Sequence, residues 1–449
     1  MLLTIVSFLL LLGVLMFFHE LGHYWVARRN GIEVEEFGVF GFPPRIAKLF
    51  TYQGTVFTLN AIPLGAFVRM KGEDIADLSP GSFNAASAGA RAAVLIAGPA
   101  MNFLLAIIFS IFSVLSGFPA SVAHPQIQQV VTGTAAAESG LQPGDILIGA
   151  DGEPVYVSVM SGEFLRSTEQ SSSSSQSDGL TVLRDRQRVT LPSTASPQSI
   201  VESTTVQPVL NTRITFVVPD SPAAQAGLQP DDIIYAVNGT PVTPPNMLSE
   251  LVAEHLDSEV TLTLLRGDQF LEANVFARAN PPEGEGAMGV AIDGRPILVT
   301  LPLHAAIWQG VTGIVDYVRM VLSVPAMLIM GQMSPSDAGL SGPVGIAQLV
   351  GGAVNATADT GVWFPIWQLA AIISAGLAIA NLLPIPALDG GRLLFIAFEK
   401  IRGRRLDPEM EGMIHMVGFA LLLGLMVMVT ISDIRSGPEA IDWNRLLGQ

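Results

Sequence analysis

The sequence predicts a polytopic α-helical membrane protein with four transmembrane helices and a β-rich segment inserted between the second and the third. Three observations predict it. Of 449 residues, 49% are hydrophobic and only 14% charged, whereas a soluble chain carries about a quarter charged residues. The apolar residues gather into stretches of the roughly 20 residues that a bilayer requires. Between the second and third of these lies a polar tract that repeats itself.

The first span covers 1–30. MLLTIVSFLLLLGVLMFF holds no charge and runs directly into HELGH, with neither the basic start nor the small-residue cleavage site of a signal peptide. Apolar stretches at 92–118, 363–391 and 412–432 complete the count of four. Residues 305–331 are also fairly apolar, but Asp316 and Arg319 interrupt them and Pro325 breaks the remainder, so the segment 300–360 reads as amphipathic and interfacial. Basic residues support four. Residues 28–91 carry seven Lys or Arg and residues 390–412 carry five, while the stretch before His19 has none. The positive-inside rule puts both basic loops in the cytoplasm and both termini, with the long inserted segment, outside.

That segment contains the repeat. AAAESGLQPGDILIGADGEPV (135–155) aligns with PAAQAGLQPDDIIYAVNGTPV (222–242), with eleven identities in 21 positions, 87 residues apart. Each copy reads as a short helix, a turn at Leu-Gln-Pro, a strand and a tight turn at Asp151-Gly152 or Asn238-Gly239, dipeptides that favour hairpins. The pattern resembles PDZ domains of the bacterial protease type, which implies two such domains (123–208 and 209–295). Such domains bind extended peptide at a sheet edge. The run SSSSSQSDG (171–179) makes the first copy longer and reads as a flexible insertion.

Composition narrows the chemistry. A net charge of −16 argues against nucleic acid as a partner. Zero cysteines exclude disulfides and thiolate metal sites, leaving His and carboxylate as ligands. His19-Glu20-Leu21-Gly22-His23 is such a set. Residues four apart on a helix face one side, so both imidazoles can share a metal while Glu20 stands beside them to take a proton from water. Chains of this composition contain the pattern by chance in roughly 0.4% of cases. Two imidazoles and a carboxylate at the end of an apolar run are also costly in a bilayer and, by default, functional.

Zinc requires a third protein ligand and an open position. His124, His255 and His304 fall in or beside the inserted segment, on the far side of the membrane. His415 opens the fourth span at the cytoplasmic side, but it has no neighbouring acid or glycine motif and reads as an interfacial residue. Asp389 is the better candidate. It follows Asn381-Leu-Leu-Pro-Ile-Pro-Ala-Leu, where Pro384 and Pro386 break the helix. Irregular backbone at membrane depth is tolerated where it is buried in protein or lines a watery cavity.

Together the HExxH motif in the first span, NxxPxPxxDGG and the repeat resemble the site-2 proteases, specifically the bacterial RseP-like group. The stretch Phe83…Arg91…Ala97-Gly98-Pro99…Asn102, Ile62-Pro63-Leu64-Gly65 and Ser341-Gly342-Pro343-Val344-Gly345 are similar to further signatures of the group. The resemblance covers almost the whole chain. It implies one zinc ion held by His19, His23 and Asp389, with Glu20 as catalytic base. It implies substrate contacts at Asn381, Asn102 and Ile62, Pro63, Leu64 and Gly65. It also implies a membrane-associated β-hairpin within 31–91, around 51–71, that presents the substrate as an added strand. Ala66-Phe67, Arg69 and Gly41-Phe42-Pro43 depart from the group's usual residues there.

The expected activity is zinc-dependent cleavage of single-span membrane proteins, anti-sigma factors or signal-peptide remnants among them, in the bacterial inner membrane. The expected partners are those substrates, peptide or protein segments at the PDZ domains, and membrane lipid. A membrane-anchored PDZ scaffold without an active metal centre is the main alternative, and intact HExxH and LDG motifs weigh against it. A PDZ-bearing serine protease would need a GDSGG or GxSxG segment, which the chain lacks. A zinc transporter would need metal ligands on several helices rather than at one depth.

Overall fold

The computed structural model describes residues 2–62, 65–73, 77–150, 153–158, 164–165, 179–192, 200, 203–209, 212–243, 247–267, 269–282, 284–293, 295–332, 341–403, 408–436, 441 and 443. The chain forms two compact units. One joins residues 1–116 to 301–443, and the other spans 117–300.

The first unit holds the long helices: α1 (Leu2–Arg29), α2 (Ala88–Leu115), α3 (Leu303–Ile329), α4 (Pro343–Thr360), α5 (Phe364–Leu382), α6 (Asp389–Arg402) and α7 (Pro408–Ser436). Local chemistry sets their ends. Ser87 caps α2 by accepting the Ala90 N–H at 3.2 Å, and Gly361 and Gly403 close α4 and α6 with left-handed φ of 73° and 70°. Five helices among the described residues (α1, α2, α3, α5 and α7) are long and apolar enough to cross a membrane.

The fifth is α3, where the sequence reading expected an interrupted, interfacial segment. Asp316 and Arg319 do not break it, because one turn apart they pair with each other at 3.0 Å. Pro325 lies inside the helix rather than ending it. Only one face is buried, at Ala306, Gly310 and Ile314. Gly310 lets the α3 backbone approach α2, since a Cβ there would stand 2.7 Å from the Ile111 side chain. Small residues join α2 to α5 as well, through a buried cluster of Ala106, Ala371 and Ala375 with Ile314. There Ser374 donates to the Asn102 carbonyl at 2.8 Å.

Between α1 and α2 the chain forms a four-stranded sheet of β1 (Val34–Phe40), β2 (Phe42–Tyr52), β3 (Thr55–Ile62) and β4 (Phe67–Met70), in the order β2-β3-β1-β4. A hairpin is present, but it runs from Phe42 to Ile62 rather than over 51–71. Its turn is Gln53-Gly54, both with positive φ, 48° and 86°. β1 pairs parallel to β3 and antiparallel to β4, which leaves β4 at an edge. The earlier start has a physical reason. Pro43 and Pro44 argue against a strand in sequence, yet an edge strand such as β2 tolerates proline.

The second unit builds the repeat twice, as expected. A short helix (Ala135–Glu138, then Pro222–Gln225) leads to a central strand (Ile146–Ala150, then Ile233–Val237). Asn238-Gly239 turns with φ of 48° and 81°, while Asp151-Gly152 and the serine run lie outside the described residues. Each copy closes the same clasp. Asp145 accepts from Arg184 Nε at 2.7 Å and from the Gln142 amide at 2.8 Å, and Arg184 also reaches the Gly140 carbonyl. Asp232 accepts from Arg266 Nε at 2.7 Å and from the Gln229 amide at 2.8 Å, and Arg266 reaches the Gly227 carbonyl. Both carboxylates are 1% exposed. Asp145 and Asp232 are the aligned aspartates of the two sequence copies. A buried ion in this position is stable only with its partner, so removing one side should cost about 3 kcal/mol or more. Arg266→Met, which strands the buried Asp232 carboxylate, should therefore speed amide hydrogen exchange across strands Ile233–Val237 and Ser258–Arg266 of the full chain.

Candidate metal centre

HELGH lies inside α1, and the side chains of His19 and His23 are buried at 4% and 5% exposure. Their shared face is held against α2. Gly22 makes the approach feasible, because a Cβ there would lie 2.8 Å from the Ala97 carbonyl carbon. A Cβ on Gly98 would fall 2.7 Å from His19 Nε2 and closer still to His23 Nε2. The space over Gly98 is thus a cradle that a single methyl group would fill.

The third candidate ligand arrives from the other end of the sequence. After α5 ends at Leu382, the chain folds over Pro384 and Pro386, passes Ala387 at φ 77°, and places Asp389 in the first turn of α6. Gly391 is required here, since a Cβ would meet the Pro386 Cα at 3.0 Å. Two ion pairs fix α6. Arg91 of α2 reaches Glu399 at 2.6 Å, and Arg392 pairs with Glu73.

His19 Nε2 and His23 Nε2 stand 3.1 Å apart, and Asp389 Oδ2 lies 3.3 Å from the first and 3.4 Å from the second. Donors about 2.1 Å from a tetrahedral zinc ion are ~3.4 Å from one another. The three atoms match one face of such a tetrahedron. Asp389 Oδ2 is buried and has no hydrogen-bond partner among the described residues, as suits a ligand atom. The residues fit zinc, and the three form one metal-ligand cluster among the described residues.

The other ring nitrogens are also engaged. His23 Nδ1 donates to the Val94 carbonyl at 2.7 Å, which leaves Nε2 free to ligate. His19 Nδ1 meets the Asn102 amide at 3.2 Å. A histidine that ligates through Nε2 carries its proton on Nδ1 and needs an acceptor. A half-turn of the Asn102 amide supplies Oδ1. Asn102, expected at the substrate, is instead fully buried behind His19.

A cavity of about 500 Å³ opens on His19, His23 and Asp389. Glu20, Asn381, Arg392 and Glu73 line it, with Phe67, Val68 and Met70 of β4 as one wall and His415, Met416 and Phe419 of α7 as another. The expected substrate contacts at Ile62 and Gly65 are not on this wall. Ile62 ends β3 and is 44% exposed, and Gly65 accepts the Gly41 N–H at 2.7 Å. Pro63 and Leu64 lie outside the described residues. The wall begins two residues after Gly65.

His415 corrects the sequence reading most. Read in sequence as a residue without a neighbouring motif, it lines the cavity and accepts the Ala387 amide hydrogen through Nδ1 at 2.8 Å. Its signal in the sequence was Gly418, one turn on along the same face, where a Cβ would lie 2.9 Å from the Pro386 carbonyl oxygen.

Glu36 was missed as well. At 4% exposure in β1, it takes Arg45 from β2 and Arg69 from β4, each at 2.8 Å, and Thr58 from β3 at 3.0 Å. Burial alone would raise its carboxyl, but the hydrogen bonds from Arg45 and Thr58 and the charges of Arg45 and Arg69 hold it below the usual range. Its contribution to the sheet is complete above the ordinary carboxyl value of about 4 and is lost as pH falls through the lowered one.

Residues 7–425 match the profile described as Peptidase family M50. The regulator of sigma-E protease RseP of Escherichia coli (strain K12) is 30% identical over 453 residues, covering 95% of this chain and 97% of the relative. The zinc metalloprotease RasP of Geobacillus kaustophilus is 30% identical over 446 residues, covering 96% and 98%. The zinc metalloprotease RasP of Oceanobacillus iheyensis is 30% identical over 465 residues, covering 96% and 99%.

Two measurements probe the centre. Asn102→Ala should weaken zinc binding about 10–100-fold, as loss of a ligand-orienting partner does, read by competition with a chelator. For Glu36, hydrogen exchange at the β1 to β4 amides should accelerate on acidification, and Glu36→Gln should remove that pH dependence.

Proposed function

The chain belongs to Peptidase family M50, the site-2 proteases, and is a zinc metalloprotease; on that premise we propose that it cleaves the transmembrane segments of single-span membrane proteins with one zinc ion. The observation that carries this is the meeting of His19, His23 and Asp389 within a cavity that Glu20 also lines. Bound there, zinc supplies Lewis acidity, polarising the scissile carbonyl and lowering the pKa of a water to about 7.

The chain's own residues do the rest. Glu20 removes a proton from the attacking water, and the remaining hydroxyl bonds to the carbonyl carbon. The C–N bond then breaks and Glu20 returns the proton to the leaving amine. A helical substrate hides its amides, so the scissile segment has to be extended first. Strand addition to the β4 edge would hold it so, and the segment Ile62-Pro63-Leu64-Gly65 leads into that strand. Asn381, on the cavity wall, is suited to hold a substrate carbonyl or amide.

Four helices (α1, α2, α5 and α7) cross the inner membrane in this reading, and α3 lies against the bundle without crossing. The two basic loops support this, since a fifth crossing would send one of them outside. The repeated domains and both termini then face outward, and the metal centre lies near the cytoplasmic side. There the repeats would act as PDZ gates, admitting substrates already trimmed of their outer domains. Anti-sigma factors and signal-peptide remnants fit that description.

The test is Glu20→Gln in reconstituted membranes with a single-span substrate. Cleavage should fall about 10³-fold while zinc content stays at one per chain. Undiminished cleavage would overturn the assignment.

A further inference from the structure

β4 lies at a sheet edge, and an edge offers unpaired N–H and C=O groups to any extended chain. Part of this edge is already occupied by the protein itself. Lys71, just past β4, turns its N–H inward to the Glu33 carbonyl at 2.9 Å. Polar groups alternate sides along a strand, so those of Met70 face away from β1. Glu73 covers both. The Met70 N–H donates to Glu73 Oε2 at 3.4 Å, and the Met70 carbonyl accepts the Glu73 N–H, also at 3.4 Å. The turn between them is fixed for this return: Gly72 has φ of 66°, and Asn84 Nδ2 donates to its carbonyl at 2.6 Å. Arg392, one turn after Asp389 on α6, holds the other carboxylate oxygen, Glu73 Oε1. Met70, Glu73 and Arg392 all line the cavity of the metal centre, and the side chains of Glu73 and Arg392 are 15% and 29% exposed.

An acceptor on the outward N–H and a donor on the outward C=O are the two contacts that an added strand would make at Met70. We propose that Glu73 is a built-in competitor of substrate, which occupies Met70 in the empty enzyme and is displaced when an extended segment pairs with β4. Both of its bonds to Met70 are long, so a substrate backbone with a free carbonyl and a free amide can replace them with shorter ones. What resists displacement is the charge-assisted pair with Arg392. Glu73 and Arg392 therefore act on substrate affinity, and the bond-breaking chemistry at the metal is left to other groups. The covered edge also keeps the empty enzyme from pairing with stray strands. The inference rests on strand addition at β4 in the proteolytic reading above and adds a resting state to it.

Steady-state cleavage of a single-span substrate by the reconstituted full chain tests it, alongside zinc content and hydrogen exchange at the Met70 amide. Glu73→Ala/Arg392→Met removes the cover without leaving an unpaired charge. It should lower KM about 10-fold, the worth of a hydrogen bond to a charged group, leave kcat within about 3-fold and keep the zinc content of the parent. Without substrate, its Met70 amide should exchange faster than in the parent. With Glu20→Gln added to prevent cleavage, substrate should restore that protection. Glu73→Gln keeps an oxygen for Met70 but not the charge that Arg392 holds, and its KM should fall between parent and double variant; it carries the test if the double variant fails to accumulate. Three results would overturn the proposal: a KM unchanged or raised in the variants, zinc lost together with the pair, or a Met70 amide that substrate leaves unprotected. A parent enzyme that cleaves nothing would count instead against the proteolytic reading.

Discussion

Everything at the metal centre depends on how closely α2 passes beneath α1. Backbones approach to this degree only where side chains are missing, and Gly22 and Gly98 supply the gap from either side. Val94, Gly98 and Asn102 are spaced four apart and form one stripe along α2. The first and last of them hold the Nδ1 atoms of His23 and His19, and the middle one leaves room for what the Nε2 atoms bind. One helix face thus sets ring rotation, tautomer and free volume together. Local sequence puts two histidines on one side of α1, but the second helix turns their Nε2 atoms towards one point.

The carboxylate has a different kind of support. Asp389 begins a helix whose position is set by charges far from it, Arg91 to Glu399 and Arg392 to Glu73. Glu73 follows β4, so sheet, cavity and ligand helix share one chain of contacts. Glu36 extends that chain across the sheet, since its carboxylate engages all three other strands. Polar groups inside an apolar assembly are worth their desolvation only if fully paired, and here the pairs join elements that the sequence separates widely.

That separation decides what could be read from the sequence. HExxH was legible because its geometry is fixed by helix pitch within five residues. The repeat was legible because its two copies share eleven of 21 residues, the buried aspartate among them. Asp389 was legible through the prolines and glycines that bend the chain before it. His415, Glu36 and the true place of Asn102 were not, because each takes its meaning from a partner on another element. The β2 strand was hidden by its prolines, which only an edge position excuses. The fifth long helix was hidden by two charges that cancel in space.

The two Asp–Arg clasps of the inserted unit also say how such a chain can vary. Each ties residues of its own copy, with 39 residues between partners in the first and 34 in the second. Closure entropy grows only with the logarithm of loop length, so the longer first loop costs roughly 0.1 kcal/mol more. A clasp that shuts locally shields the rest of its fold from whatever is spliced between its ends. The serine run lies inside that first loop, where added length is thermodynamically almost silent. Evolution can lengthen, shorten or rewrite that stretch while the sheets on either side keep their register.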